Sequence, residues 1–261
     1  MSIIYNIFDI TVALCMLTII NYFLVINVLL VWCILIIGSL WCLIIMIKAS
    51  DITPDKIKNR IIDYFMVIKF VTSLFGVILV NLFRQFGIYS VTSHLIIIIF
   101  MALNILEAVV LDILIGFYAN GLVGIGLILL LPFTIEEYII YQIQTEESGL
   151  YLLHLDWYWI ILYTSWNCCF SYGANLSWMT RLILLPPIII SLIINVDVWL
   201  SARVLLLLFS MMMRVIQIIW FYNPGQSYLT PIAGSICNNS YYTHWWSIIN
   251  LIWLLCIVLF K

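Results

Sequence analysis

The sequence predicts an all-α fold, a polytopic transmembrane helix bundle of eight or nine spans forming one integral membrane domain over residues 1–261. Three observations predict it. Of the 261 residues, 66% are hydrophobic and 8% are charged, against about 25% charged in a soluble domain. A soluble fold of this mass keeps too large a surface to hide so much hydrocarbon. The apolar residues also fall in runs of bilayer length, since about 20 helical residues cross roughly 30 Å of hydrocarbon.

Residues 3–20 are apolar but interrupted by Asn6, Asp9, Thr11 and Thr18, which leaves a first crossing and an interfacial helix as alternatives. Residues 24–47 form an uninterrupted span. The 48–60 segment is the most polar of the chain and holds Lys48, Lys56, Lys58 and Arg60, four of the ten basic residues. The excess of Lys and Arg in cytoplasmic loops makes it cytoplasmic. Asp51 or Thr53 is placed to cap a helix with Pro54 in its first turn.

Further spans follow at 61–81, 93–115, 119–132, 156–173, 182–196, 198–221 and 245–260. Alternation puts 133–155 outside, and that loop has no Lys or Arg while holding Glu136, Glu137, Glu146 and Glu147. Arg181 falls at a cytoplasmic end, whereas Arg84, Arg203 and Lys261 fall outside, so the bias is moderate. The 119–132 segment spans only about 21 Å; it is a half-helix, or it continues through Pro132 with a kink. Gly116, Asn120 and Gly124 recur every four residues and give a small face for close helix contact. Pro186 and Pro187 interrupt the hydrogen bonds of the 182–196 segment, and such breaks persist only where protein or water satisfies the freed carbonyls. The 222–244 connection is a plain loop or a re-entrant one.

The formal charge of −2 excludes electrostatic nucleic-acid binding, which needs a basic patch. No basic residue precedes Lys48, so the first apolar segment is expected to stay as structure rather than be cleaved as a signal. Seven cysteines (Cys15, Cys33, Cys42, Cys168, Cys169, Cys237 and Cys256) show no zinc spacing. Cys168 and Cys169 point about 100° apart on a helix. The cysteines read as small apolar side chains. His-Glu-x-x-His, Gly-x-Ser-x-Gly and Walker patterns are missing, so no catalytic residue, metal ligand or cofactor is expected.

Ionisable residues inside a span cost about 2.5–3.5 kcal/mol at the helix centre, which makes each a functional-site candidate. They are Lys69, Glu107, Asp112, Arg203 and Arg214, with Asp63, Asp156 and Arg181 nearer span ends. At 100° per residue, Arg203, Ser210, Arg214 and Gln217 form one stripe. Asn104 shares a face with Glu107, while Asp112 is turned about 140° away. Asp156, Tyr163 and Asn167 lie within about 40° on the 156–173 helix, and Ser171 extends that side. Complementarity pairs Glu107 or Asp112 with Lys69 or Arg214, and Asp156 with Arg203. Such groups either fix helix register or line a solvated pocket. Trp157, Tyr158, Trp159, Trp245 and Trp246 suit interfacial aromatic belts, and Trp166 is deep enough for core packing.

The polar-interior reading expects a protein that binds or transports a small solute or lipid headgroup through Lys69, Asn104, Glu107, Asp112, Asp156, Tyr163, Asn167, Arg203, Arg214 and Gln217. Alternatives are a non-catalytic membrane subunit that assembles with another membrane protein, and a membrane-embedded lipid-modifying enzyme. The expected partners are the lipid bilayer and a small solute or lipid, without nucleic acid.

Two stretches, Leu111–Asn120 and Asp156–Tyr172, resemble a family of uncharacterised bacterial multi-pass membrane proteins, a domain of unknown function. The resemblance implies a bacterial inner membrane, with the mitochondrial inner membrane as the alternative, and supplies no activity. It directs attention to Asp112, Gly116, Asn120, Asp156, Trp166 and Asn167.

Overall fold

A computed structural model describes residues 2–49, 60–88, 90–131, 153, 155–173, 181–220 and 240–260. Among these residues the chain folds as a helical bundle without strands. Its helices are α1 (Ser2–Ile26), α2 (Val28–Ala49), α3 (Arg60–Phe86), α4 (Val91–Leu114), α5 (Tyr118–Leu129), α6 (Trp157–Gly173), α7 (Leu185–Ile193), α8 (Trp199–Trp220) and α9 (Ser240–Phe260), with a 3-10 turn at Val196–Val198. Each expected apolar segment is therefore mainly helical over its described residues, though in 182–196 the helix runs from Leu185 to Ile193. Three stretches are long and apolar enough to cross a bilayer, Asp9–Ile26, Val91–Leu114 and Tyr242–Leu259, with mean hydropathies of 2.1, 2.5 and 1.5. Val28–Leu40, Val71–Phe86 and Tyr118–Leu129 are shorter apolar stretches. The 48–60, 133–155 and 222–244 connections, with Pro132, Cys237 and His154, lie outside the described residues apart from a few end positions.

Two apolar cores organise the bundle. One gathers α4, α5, α6 and α9 around Ile105, Val109, Leu127, Trp159, Trp166 and Leu254. The other gathers α1, α2, α7 and α8 around Leu24, Val31, Ile190 and Leu206. Helix α3 bridges them, packing on α4 to one side and on α2 and α8 to the other. The large side chains outside these cores, such as Leu29, Leu129, Leu192 and Leu259, are exposed. Outward Leu on a helix of this hydropathy suits a hydrocarbon solvent.

The first two apolar segments are not an antiparallel pair. Only Asn27 separates α1 from α2: its N donates back to Phe23 O at 3.1 Å and its carbonyl accepts from Val31 N at 3.2 Å, so it closes one helix and opens the next. Reversal of two helices needs a loop of about 2–5 residues. The Asn27 side chain instead accepts from Leu30 N at 3.0 Å, and Arg84 Nη2 donates to Val25 O at 2.9 Å. A cation is well placed beside the last carbonyls of a helix.

The prolines of α7 also differ from expectation. The chain turns at 183–184, and Pro186 and Pro187 fall in the first turn of α7. A missing N–H costs nothing there, because first-turn amides have no intrahelical acceptor. They start a helix rather than kink one.

Candidate functional site

Helix α5 is the shortest partner of the first core, and glycine lets its neighbours approach it. A Cβ on Gly124 would lie 2.4 Å from Val109 Cγ2 and 2.8 Å from Trp166 Cζ2. One on Gly126 would lie 2.2 Å from Leu254 Cδ2. Gly116 plays a different part from the small face expected of it. It has φ +80° in the α4–α5 turn, with open space where a Cβ would sit, a backbone that favours glycine.

The close approach lets two indoles of α6 reach the α5 backbone. Trp166 Nε1 donates to Asn120 O at 2.8 Å and Trp159 Nε1 to Leu127 O at 3.1 Å. Leu127 is in the last turn of α5, where carbonyls lack helical donors. Trp166 is core, as its depth suggested. Trp159 is not an interfacial belt residue: it is 2% exposed, stacks on Tyr163 at 5.1 Å and meets Trp199 edge-on at 5.8 Å.

Beside this aromatic cluster, the polar residues of α3 and α4 meet. Lys69 Nζ lies 3.4 Å from Glu107 Oε2 and donates to Asn104 O at 2.6 Å and to Asn104 Oδ1 at 2.5 Å. Thr72 Oγ1 donates to Glu107 Oε2 at 3.3 Å. The expected Lys69–Glu107 pair thus forms, with Asn104 on the same α4 face. Two neutral partners share the load, as a desolvated ion pair requires.

One turn further along α3 a cavity of about 40 Å³ opens between α3, α4 and α8. That is room for about three water molecules. Its polar lining is Thr72, Ser73, Asn104, Tyr163, Trp199 and Arg203; apolar residues such as Ile97, Met101 and Leu207 complete it. Arg203 sits with its Cζ 5.9 Å from the Tyr163 ring centroid.

The remaining candidates lie elsewhere. Asp112 is fully buried and accepts from Asn120 Nδ2 at 2.8 Å, so it faces α5 and not the Lys69 cluster. The five-residue offset from Glu107 turns the two carboxylates to different neighbours, which leaves no acid–base pair. Asp156 accepts from the Tyr158 hydroxyl at the start of α6. The expected Asp156–Arg203 pair does not form, since Arg203 meets the Tyr163 ring instead. Asn167 Nδ2 turns back to Tyr163 O of its own helix at 3.2 Å; the shared stripe of Asp156, Tyr163 and Asn167 therefore delivers only Tyr163 to the cavity. Ser210 likewise donates to Leu207 O. The side chains of Arg214 and Gln217 lie outside the described residues.

Sequence reasoning passed over Ser73 and Trp199, because neither is charged. A signal was present: each lies four residues from a flagged cation (Lys69 and Arg203), hence on the same helix face. It also passed over Ser165, which donates to Asn250 Oδ1 at 2.7 Å and accepts from Trp246 Nε1 at 2.9 Å. That trio ties α6 to α9. Trp246 is thus held within the bundle rather than only in an interfacial belt. Among the described cysteines Cys15, Cys33, Cys168, Cys169 and Cys256 are free thiols. No group of three or more His, Cys, Asp or Glu able to hold a metal occurs among the described residues.

No protein-family model matches the chain, and no curated protein or solved structure does.

Proposed function

We propose that this is a multi-pass membrane protein whose α3–α4–α8 cavity binds or passes a small solute or a lipid headgroup. One juxtaposition carries the reading: a cavity lined by Thr72, Ser73, Asn104, Tyr163, Trp199 and Arg203, beside the Lys69–Glu107 pair, inside a bundle of apolar helices. Polar groups at that depth are expensive, and a cavity that holds water or solute is what makes them useful. Eight or nine crossings are proposed, nine with the first apolar segment counted, and Asp9–Ile26 is long and apolar enough to be one. The 48–60 segment faces the cytoplasm, and the membrane is the bacterial inner membrane, with the mitochondrial inner membrane as the alternative.

A second reading, in which the polar groups only fix helix register, is favoured by the Lys69–Asn104–Glu107 hydrogen bonding. Filling the cavity separates the two. A Cβ at Gly76, which lines the cavity, would meet only Val204 Cγ1 at an ordinary 3.6 Å. Gly76→Leu is expected to insert and remain monodisperse while losing binding or solute passage in reconstituted vesicles. Unimpaired passage with Gly76→Leu would remove the cavity from the function.

A further inference from the structure

The cavity wall has hydrogen-bond donors that the described residues do not use. Among those residues, Arg203 Nε and Nη1, Trp199 Nε1 and Ser73 Oγ are each buried without a hydrogen-bond partner. Arg203 is 6% exposed, Trp199 1% and Ser73 2%. All three residues line the same 40 Å³ space. Two of them carry donors only, because neither a guanidinium nor an indole N–H can accept. A neutral solute with equal donors and acceptors would leave this imbalance in place.

Charge points the same way. Lys69 is matched by Glu107 at 3.4 Å, which leaves that pair neutral. Among the described residues no carboxylate lines the cavity, and Arg203 brings a guanidinium charge to it. The local balance is therefore one positive charge, held against the face of the Tyr163 ring. A buried charge without a counterion is strongly unfavourable. Something must supply acceptor atoms and one negative charge together.

We propose that the cavity takes a small oxoanion, a carboxylate or a phosphate, held by the Arg203 guanidinium with Trp199 Nε1–H and the Ser73 hydroxyl as further donors. The proposal rests on the cavity being the functional site and names its ligand class. Space for about three waters suits the oxygens of one such group and excludes a large solute from full entry. The group is a free anion, or it is the headgroup of an anionic lipid whose tails remain outside.

The test uses the full-length protein in a neutral detergent, with thermal unfolding as the readout. Sodium formate and sodium phosphate are titrated against sodium gluconate at constant ionic strength. A saturable rise in Tm with formate or phosphate is expected, absent in R203M and at least tenfold weaker in apparent affinity in W199F. Without added anion, R203M is expected to melt no lower than the parent, because it removes an uncompensated charge; an arginine with a purely structural role would give a lower Tm. Nanodiscs separate the sources. If the ligand is a lipid headgroup, phosphatidylglycerol discs raise Tm relative to phosphatidylcholine discs and suppress the formate response; if it is a free anion, the response is the same in both. An anion response that survives in both R203M and W199F overturns the proposal. So does a response confined to ammonium or urea that Gly76→Leu abolishes, although the cavity then keeps its role. Silence toward solutes of every charge overturns both readings.

Discussion

The tightest packing in the bundle gives its most demanding prediction. Gly124→Ala places a Cβ 2.4 Å from Val109 Cγ2 and 2.8 and 3.1 Å from two atoms of the Trp166 ring. Carbon atoms in contact settle at about 3.5–4.0 Å, so the new methyl intrudes by about 1 Å on two sides at once. Neither neighbour yields easily. Val109 is β-branched, 1% exposed and restricted to few rotamers in a helix. Trp166 is pinned by its 2.8 Å bond to Asn120 O. Overpacking of this kind costs about 1–3 kcal/mol, against which the helix propensity of Ala over Gly returns about 1 kcal/mol. Gly76→Ala supplies the control, because its Cβ meets only Val204 Cγ1 at 3.6 Å and keeps the propensity gain. The pair is expected to differ by about 2 kcal/mol, roughly 30-fold in the folding equilibrium. Reversible unfolding in mixed micelles, followed by tryptophan fluorescence, measures it. If Gly124→Ala is as stable as Gly76→Ala, then α4, α5 and α6 do not pack as described.

Further consequences concern the polar groups. A double-mutant cycle on Lys69→Met and Glu107→Gln should return a coupling of about 1–3 kcal/mol in unfolding free energy, and independent effects would mean that the two charges do not meet. Asn120→Ala, which strips Asp112 of the side-chain donor at 2.8 Å, should cost about 1–3 kcal/mol in unfolding free energy, because it leaves a buried acceptor unsatisfied. A loss below about 0.5 kcal/mol would sink this account of the α4–α5 contact. Labelling of intact cells or inverted vesicles with a membrane-impermeant thiol reagent should modify Cys237 from the cytoplasmic side alone, and outer-side modification would invert the proposed topology.

The helical architecture was legible because it rests on composition and run length. Ile and Leu runs of bilayer length have few soluble alternatives, and each such run is mainly helical over its described residues. What could not be read was how neighbouring runs join. Asn27 looks like any polar interruption between 3–20 and 24–47, yet it alone ends α1 and starts α2, its side chain accepting from Leu30 N. Pro186 and Pro187 signal a break without saying whether it falls before, at or after them. Angular arithmetic placed Asn104 beside Glu107 and turned Asp112 away, because a helix face is a local property. It misplaced Asn167 and the partner of Arg203, because a shared face does not say whether a side chain reaches outward or bends back to its own backbone.

By itself the sequence determined the solvent, the helical segments and the few ionisable groups that had to be accommodated within them. Those follow from the transfer cost of each side chain, which depends on the residue and its near neighbours. The tertiary structure decided which groups answer one another. Lys69 met Glu107, Asp112 met Asn120, and the indoles of Trp159 and Trp166 met the backbone of α5. It also left Arg203, Trp199 and Ser73 facing a common space with donors to spare. That outcome depends on distances between helices far apart in the chain, set by glycines and packing, and no local pattern of residues encodes it.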